Sequence, residues 1–180
     1  MKFTESQLEQ AFIDLLSEQG HTHISGRQLD RTPEEVLLVP ELKSSLKKRY
    51  AKNNITDAEI DGIVRNLLLL PSSDLYESNK TFMHWLRDGF VLKRDDRSQK
   101  DLFIQMVDFE HPENNTFQMV NQMEIQGTSL RIPDGILYIN GLPLVVFEFK
   151  SAIREEAVMH DAYVQLTTRY KRNIPALFKY

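Results

Sequence analysis

The chain has 180 residues, 41% of them hydrophobic and 27% charged, with no cysteine and a formal net charge of −4 at pH 7. That is enough chain for one real hydrophobic core, and it excludes disulfides and thiolate metal sites, so a metal would need oxygen or histidine ligands. The acidic balance also excludes nucleic-acid binding by whole-surface attraction; contact with DNA would need local basic patches, a bound cation or a partner.

Thr4-Glu5-Ser6-Gln7 has the form of a capping box, and Leu8, Phe12, Ile13, Leu15 and Leu16 follow at helical spacing until Gly20 stops the run. Thr32-Pro33-Glu34-Glu35 predicts a second helix start, with proline at the first helical position. Residues 41–52 read as a charged helix, 56–70 as another opened by Thr56-Asp57-Ala58-Glu59, and 74–87 as a third beyond the break at Pro71-Ser72-Ser73. From Phe90 the period changes. Residues 90–92 and 102–104, the latter extended by Met106-Val107, read as strands. Residues 117–125 alternate like a half-buried strand, and 130–139 with 142–149 form a hairpin-like pair about Asn140-Gly141, a strong turn signal. Residues 155–171 read as a helix, and Ala176-Leu177-Phe178 as the start of another strand. The order predicts a mixed α+β (α/β) fold, with a helical part over about 1–88 and a sheet-bearing part over about 89–180. Residues 1–180 read as a single domain cut from a longer protein. The N-terminus has no signal-peptide core and no stretch approaches the roughly 18 apolar residues of a membrane span, so a cytoplasmic location with no membrane partner is expected.

Leu144-Val145-Val146-Phe147-Glu148-Phe149-Lys150 is apolar apart from one acid and one base two positions apart. Burying either charge alone costs several kcal/mol, so a core-like strand carrying both needs a compensating partner or metal. Phosphodiester hydrolysis supplies a reason. It needs a cation to neutralise the scissile phosphate and acidify a water, and Mg²⁺ takes one or two carboxylates. Asp134 and Glu148 offer two carboxylates from adjacent segments. Strand alternation puts Lys150 on the face of Glu148, with Phe147 and Phe149 on the other. An ideal two-residue Asn140-Gly141 loop sets Asp134 opposite Phe147, pointing away from Glu148. A metal site therefore predicts a three-residue loop or a bulge, for which Gly135 is suited.

Pro133-Asp134 … Glu148-Phe149-Lys150 has the form of the PD-(D/E)xK nuclease motif. The stretch from Val120-Asn121-Gln122 through Arg131-Ile132-Pro133-Asp134-Gly135 and Asn140-Gly141-Leu142-Pro143 to Ser151 resembles the N-terminal nuclease domain of the R (restriction) subunit of type I restriction-modification enzymes, a resemblance that runs from about Asn121 to Tyr180. The resemblance implies a restriction-endonuclease-like central mixed sheet flanked by helices. It makes Asp134 and Glu148 metal ligands, the Phe149 backbone carbonyl a further ligand, and Lys150 the catalytic lysine. An acid of the first helix joins the site, Glu9 before Glu5. A Gln and Tyr pair on the following helix matches Gln165 and Tyr170, one residue wider than the family spacing, so that an α-helix would turn Tyr170 away by about 100°. The implied activity is Mg²⁺-dependent endonucleolytic cleavage of double-stranded DNA. Specificity and methyltransferase subunits are the implied partners, and ATP is used only by a translocase domain; no G-x-x-x-x-G-K-[ST] loop occurs here.

Other residues have plainer readings. Lys43, Lys47, Lys48, Arg49 and Lys52 fit a solvated helix face better than a DNA contact. Arg169, Lys171 and Arg172, close to the motif, are candidate phosphate contacts. The five histidines show no ligand spacing and read as surface or packing residues, with His160 the one to watch. Trp85, Phe82 and Leu86 read as core, and Asn121-Gln122 as a polar pair beside the hairpin. The alternative to an enzyme is a non-catalytic DNA-binding or assembly module on a nuclease-like fold.

Overall fold

The computed structural model describes residues 4–150 and 155–180. In chain order it contains α1 (Glu5–Glu18), β1 (Thr22–Ser25), α2 (Val39–Arg49), α3 (Asp57–Leu68), α4 (Leu75–Asp88), β2 (Phe90–Leu92), β3 (Leu102–Ile104) and β4 (Phe117–Asn121). There follow β5 (Ile125–Gln126), β6 (Leu130–Arg131), β7 (Gly135–Ile139), β8 (Leu142–Phe147), α5 (Glu155–Val164), a π-helical turn (Gln165–Tyr170) and α6 (Lys171–Asn173). This is the mixed α/β arrangement expected, with helices concentrated in the N-terminal half. The capping box is present: Thr4 Oγ1 accepts the Gln7 N–H at 3.2 Å and Gln7 Oε1 the Thr4 N–H at 2.9 Å.

The chain divides into two compact units. The first comprises Met1–Val36, Phe117–Ile139 and Pro143–Phe178. Its sheet has the order β1-β4-β7-β8, with β1 parallel to β4 and β4 antiparallel to β7, pairing Phe117 with Ile139 and Asn121 with Gly135. Met119, Val120, Ile136 and Tyr138 are fully buried, so the centre of this sheet is covered on both faces. The Tyr138 hydroxyl, deep in that core, donates to the Val36 carbonyl at 2.9 Å.

The second unit comprises Leu37–Thr116, Asn140–Leu142 and Lys179–Tyr180. Here α2, α3 and α4 bury Leu42, Leu46, Ile60, Ile63, Leu67 and Phe82, and β2 pairs antiparallel with β3. Lys43 pairs with Asp61, Lys47 with Asp57 and Arg49 with Asp108, so much of the basic run is committed to ion pairs within the fold. The Asn140-Gly141 turn is held by the same unit. Asn140 Oδ1 accepts the Thr116 N–H at 2.9 Å, Asn140 Nδ2 donates to the Met106 carbonyl at 2.9 Å, and the Gly141 carbonyl accepts the Leu38 N–H at 3.0 Å. Gly141 has φ of +83°, and a Cβ there would stand 2.4 Å from the Leu38 oxygen. Gly141→Ala is therefore expected to cost about 2–3 kcal/mol, read as a fall in thermal midpoint.

Several expectations need correction. Thr32-Pro33-Glu34-Glu35 makes one isolated turn, with Glu35 N–H on the Thr32 carbonyl, and no helix follows. The next three residues, Val36, Leu37 and Leu38, are all buried, which one helix face cannot provide; the helix restarts at Val39 with Pro40 in its first turn. The strand expected over 117–125 ends at Asn121, because Gln122 takes a left-handed φ of 51°. The segment 130–139 is split at Ile132-Pro133-Asp134 into β6, paired with β5, and β7, paired with β4. Met106 and Val107 are buried without joining a strand, and Trp85 is only half-buried beside Phe90. The strand expected at Ala176-Leu177-Phe178 is a 3₁₀ turn over Pro175–Lys179. Pro175 presets a helical φ and Leu177 N–H bonds back to the Ile174 carbonyl, so a three-residue apolar run had no ladder to join.

Candidate active site

The two motif acids sit at the open end of the β7–β8 hairpin. Asn140 and Gly141 both take positive φ, 53° and 83°, as in a two-residue type I′ turn. The loop irregularity that the metal-site reading demanded is absent. The acids meet by another route, because Asp134 precedes the first residue of β7 and Glu148 follows the last residue of β8. Past the ladder, pleat alternation no longer dictates direction. Asp134 Oδ2 accepts the Phe149 N–H at 2.6 Å, which draws its carboxylate onto the Glu148 segment.

Glu148 is the most enclosed charge here, its side chain 1% exposed. Lys150 Nζ lies 2.5 Å from Oε1, and the Tyr170 hydroxyl donates to Oε2 at 2.8 Å. That hydroxyl accepts from Gln165 Nε2 at 2.8 Å. The alternation expected for this segment holds: Glu148 and Lys150 share one side, while the Phe147 and Phe149 rings lie parallel 6.3 Å apart and both pack on Phe12 of α1, at 4.6 and 5.5 Å.

Phe12 in turn places Glu9, one helical turn earlier on the same face of α1. Glu9 Oε1 accepts from Asn121 Nδ2 at 2.8 Å and Gln122 Nε2 at 3.3 Å, which explains the polar pair at the end of β4. His23 of β1 completes the row, its Nε2 2.9 Å from Asn121 Oδ1. The sequence reading placed His23 among surface or packing residues, since only the parallel β1–β4 register brings it to Asn121. His160, the histidine singled out, is simply exposed.

Burial pushes the Asp134 carboxyl up to about 6, and the Glu148 and Glu9 charges add to the rise against the pull of the Phe149 N–H. Burial would lower the Lys150 ammonium, but its hydrogen bond and ion pair with Glu148 outweigh this and hold it above the usual lysine range. The Tyr170 phenol is pushed up, mainly by burial and further by Glu148, so it remains a neutral donor. Tyr170→Phe leaves one oxygen of an enclosed carboxylate without its donor. About 1–2 kcal/mol of stability should be lost, measured by urea unfolding.

A divalent cation fits the chemistry of this donor set. Asp134 and Glu148 are hard oxygen donors brought to one hairpin end, where Asp134 accepts the Phe149 N–H and Glu148 is held by Lys150 and Tyr170. Among the described residues no three His, Asp or Glu side chains are grouped closely enough to hold a metal ion. Two carboxylates remain within what Mg²⁺ takes from a protein, and Glu9, engaged by two amides, stands outside that pair.

The helix after the lysine solves the spacing problem. Over Gln165–Tyr170 it winds as a π-helix, whose i to i+5 repeat brings residues five apart together. Tyr170 is thereby returned to Gln165 and Glu148, where an α-helix would have carried it away. The same turn exposes Arg169, and Arg172 follows on α6. Both line an open groove with Gln165 and Tyr170, whereas exposed Lys171 is not part of that lining.

The sequence matches, over residues 2–180, the family described as type I restriction enzyme R protein N terminus. The chain belongs to this family. It is 38% identical over 148 residues to the type I restriction enzyme HindI endonuclease subunit of Haemophilus influenzae, covering 81% of this chain and 14% of that protein. It is 30% identical over 181 residues to the type I restriction enzyme SsaAORF53P endonuclease subunit of Staphylococcus saprophyticus, covering 98% of this chain and 18% of that protein. The putative MjaIXP endonuclease subunit of Methanocaldococcus jannaschii is 29% identical over 184 residues, covering 96% of this chain and 17% of that protein. The chain thus spans less than a fifth of these relatives. In this R-protein N-terminal region, no helix among the described residues is long and apolar enough to cross a membrane.

Proposed function

We propose that this chain is the nuclease domain of a type I restriction enzyme R subunit, hydrolysing phosphodiester bonds of double-stranded DNA with Mg²⁺. The supporting observation is the meeting of Asp134, Glu148 and Lys150 at one hairpin end, with Tyr170 on the far oxygen of Glu148. Asp134, Glu148 and the Phe149 carbonyl would hold the ion. Bound Mg²⁺ supplies charge neutralisation at the scissile phosphate and a more acidic attacking water. Lys150 Nζ, anchored on Glu148, orients the water and stabilises negative charge developing on the phosphate. Tyr170 and Gln165 fix the Glu148 carboxylate, and the Asn121, Gln122 and His23 row fixes Glu9 at the edge. The water oxygen bonds to phosphorus and gives up a proton to solvent, the bond to the leaving sugar oxygen breaks, and that oxygen takes a proton from solvent.

Sequence recognition is assigned to a specificity subunit, modification to a methyltransferase subunit, and ATP-driven translocation to other parts of the R protein. The Lys150–Glu148 ion pair also satisfies Glu148 without a metal, the one observation that favours a non-catalytic DNA-binding or assembly module. Supercoiled plasmid cleavage with Mg²⁺ separates the two readings. Nicking lost in both Asp134→Asn and Lys150→Ala supports the nuclease; nicking that survives both rejects these residues.

A further inference from the structure

The groove beside Tyr170 holds a charge pattern that the carboxylate site does not use. It has a volume of about 550 Å³ and is lined by Leu130, Arg131, Ile132, Gln165, Arg169, Tyr170 and Arg172. Three of the seven lining residues are arginines and none is acidic, in a chain whose net charge is −4. Arg169 and Arg172 are exposed and have no ion-pair partner among the described residues. Arg131 is different, because its guanidinium is fixed. Asn173, 5% exposed and turned with its oxygen toward Arg131, accepts from Nη2 at 2.5 Å and Nε at 2.8 Å, while Nη1 donates to the Leu130 carbonyl at 3.3 Å. Like charges gathered in one groove repel unless an anion occupies it, and a held arginine fork is suited to phosphate oxygens. Leu130 and Ile132, 44% and 38% exposed, put apolar surface between the arginines, as a sugar–phosphate chain requires and a free inorganic anion does not.

We propose that Arg131, Arg169 and Arg172, with Leu130 and Ile132, form a backbone subsite for the phosphates flanking the scissile bond on the Tyr170 side of the site. This rests on the nuclease reading for its location, since Tyr170 belongs to the groove lining and also donates to Glu148. A strand lying along the arginines meets the two carboxylates one side chain further on. Arginine contacts to phosphate oxygens position the backbone and carry no sequence information, and Gln165, the groove's neutral amide, donates to Tyr170.

The test is binding of a fluorescent DNA duplex to the chain in Ca²⁺, over a series of salt concentrations. The Arg169→Glu, Arg172→Glu pair changes exposed side chains and should fold normally. It is expected to weaken binding by about 10–100-fold and to flatten the salt slope by about one for each phosphate no longer engaged. Arg131→Lys keeps the charge but removes the fork, and should weaken binding by about 5-fold with the slope retained. A duplex carrying neutral methylphosphonates throughout its backbone should bind wild type and the double variant alike. Unchanged affinity and slope in the double variant would overturn the subsite, as would wild-type protein that fails to bind DNA. Failure of the nuclease reading looks different: wild-type protein would not nick plasmid DNA in Mg²⁺, while the binding differences at Arg169 and Arg172 persisted.

Discussion

Asp134→Asn is expected to lower Mg²⁺-dependent DNA cleavage by at least about 10³-fold, while leaving the metal-free protein at least as stable as wild type at pH 8. The two effects have one cause. The folded site raises the Asp134 carboxyl from 3.8 to about 6, so between those values the native state keeps a proton that the unfolded chain has lost. Stability therefore falls as pH rises through that window, and the full cost is present above it. A rise of this size would be worth ~3 kcal/mol for a fully enclosed group and about 1 kcal/mol for one that water partly screens. Asparagine carries no charge and can still accept the Phe149 N–H, so that cost disappears together with the proposed metal ligand. Thermal unfolding of both proteins without metal at pH 4 and pH 8, paired with plasmid nicking, reads the two quantities. The expected result is a variant stabilised at pH 8 more than at pH 4. Equal stability differences at both pH values would show that burial does not strain this carboxylate.

Arg94→Ala is expected to destabilise the second unit by about 3 kcal/mol or more, because it strands a buried carboxylate. Arg94 and Glu59 have side chains 4% and 5% exposed, paired through Nε–Oε1 at 2.8 Å. Nη1 and Nη2 donate to the Asn53 and Asn54 carbonyls, each at 2.8 Å, and Nη2 also reaches Glu59 Oε2 at 3.2 Å. Asn54 stands in the left-handed region at φ 54°, so this arginine also ties down the strained turn before α3. Glu59 meanwhile accepts the Thr56 N–H at 2.8 Å as the last member of a capping box. Burial would raise its carboxyl, but the Thr56 N–H and Arg94 overcome this and hold it below the usual range. Its stabilisation is thus present above the ordinary carboxylate value and is lost as pH falls through the folded one. Urea unfolding at pH 7 checks the variant; a loss under 1 kcal/mol would mean that the pair behaves as a surface contact.

Local interactions made much of this molecule legible in its sequence. The capping boxes at Thr4 and Thr56, the helices around 41–52, 56–70 and 74–87, and the Asn140-Gly141 turn all rest on contacts within a few residues. Glu148 and Lys150 stood out because charge in an apolar run demands compensation, and they share one side as expected although both lie just past the end of β8. What the sequence could not contain was long-range register. The Arg94–Glu59 pair spans 35 residues, and His23 reaches Asn121 across 98, so neither has a local signature. The loop irregularity expected at Asn140-Gly141 was wrong for the same reason: turn type and pleat constrain only residues inside the ladder, and the acids lie just beyond it. Tyr170 shows the division at one residue. Its spacing from Gln165 was readable, but its meeting with the Glu148 carboxylate, 22 residues away, was not. Residue type and short spacing picked out the candidate groups; tertiary packing decided which of them meet, because contacts between distant segments exist only once the sheet and its covering helix have closed.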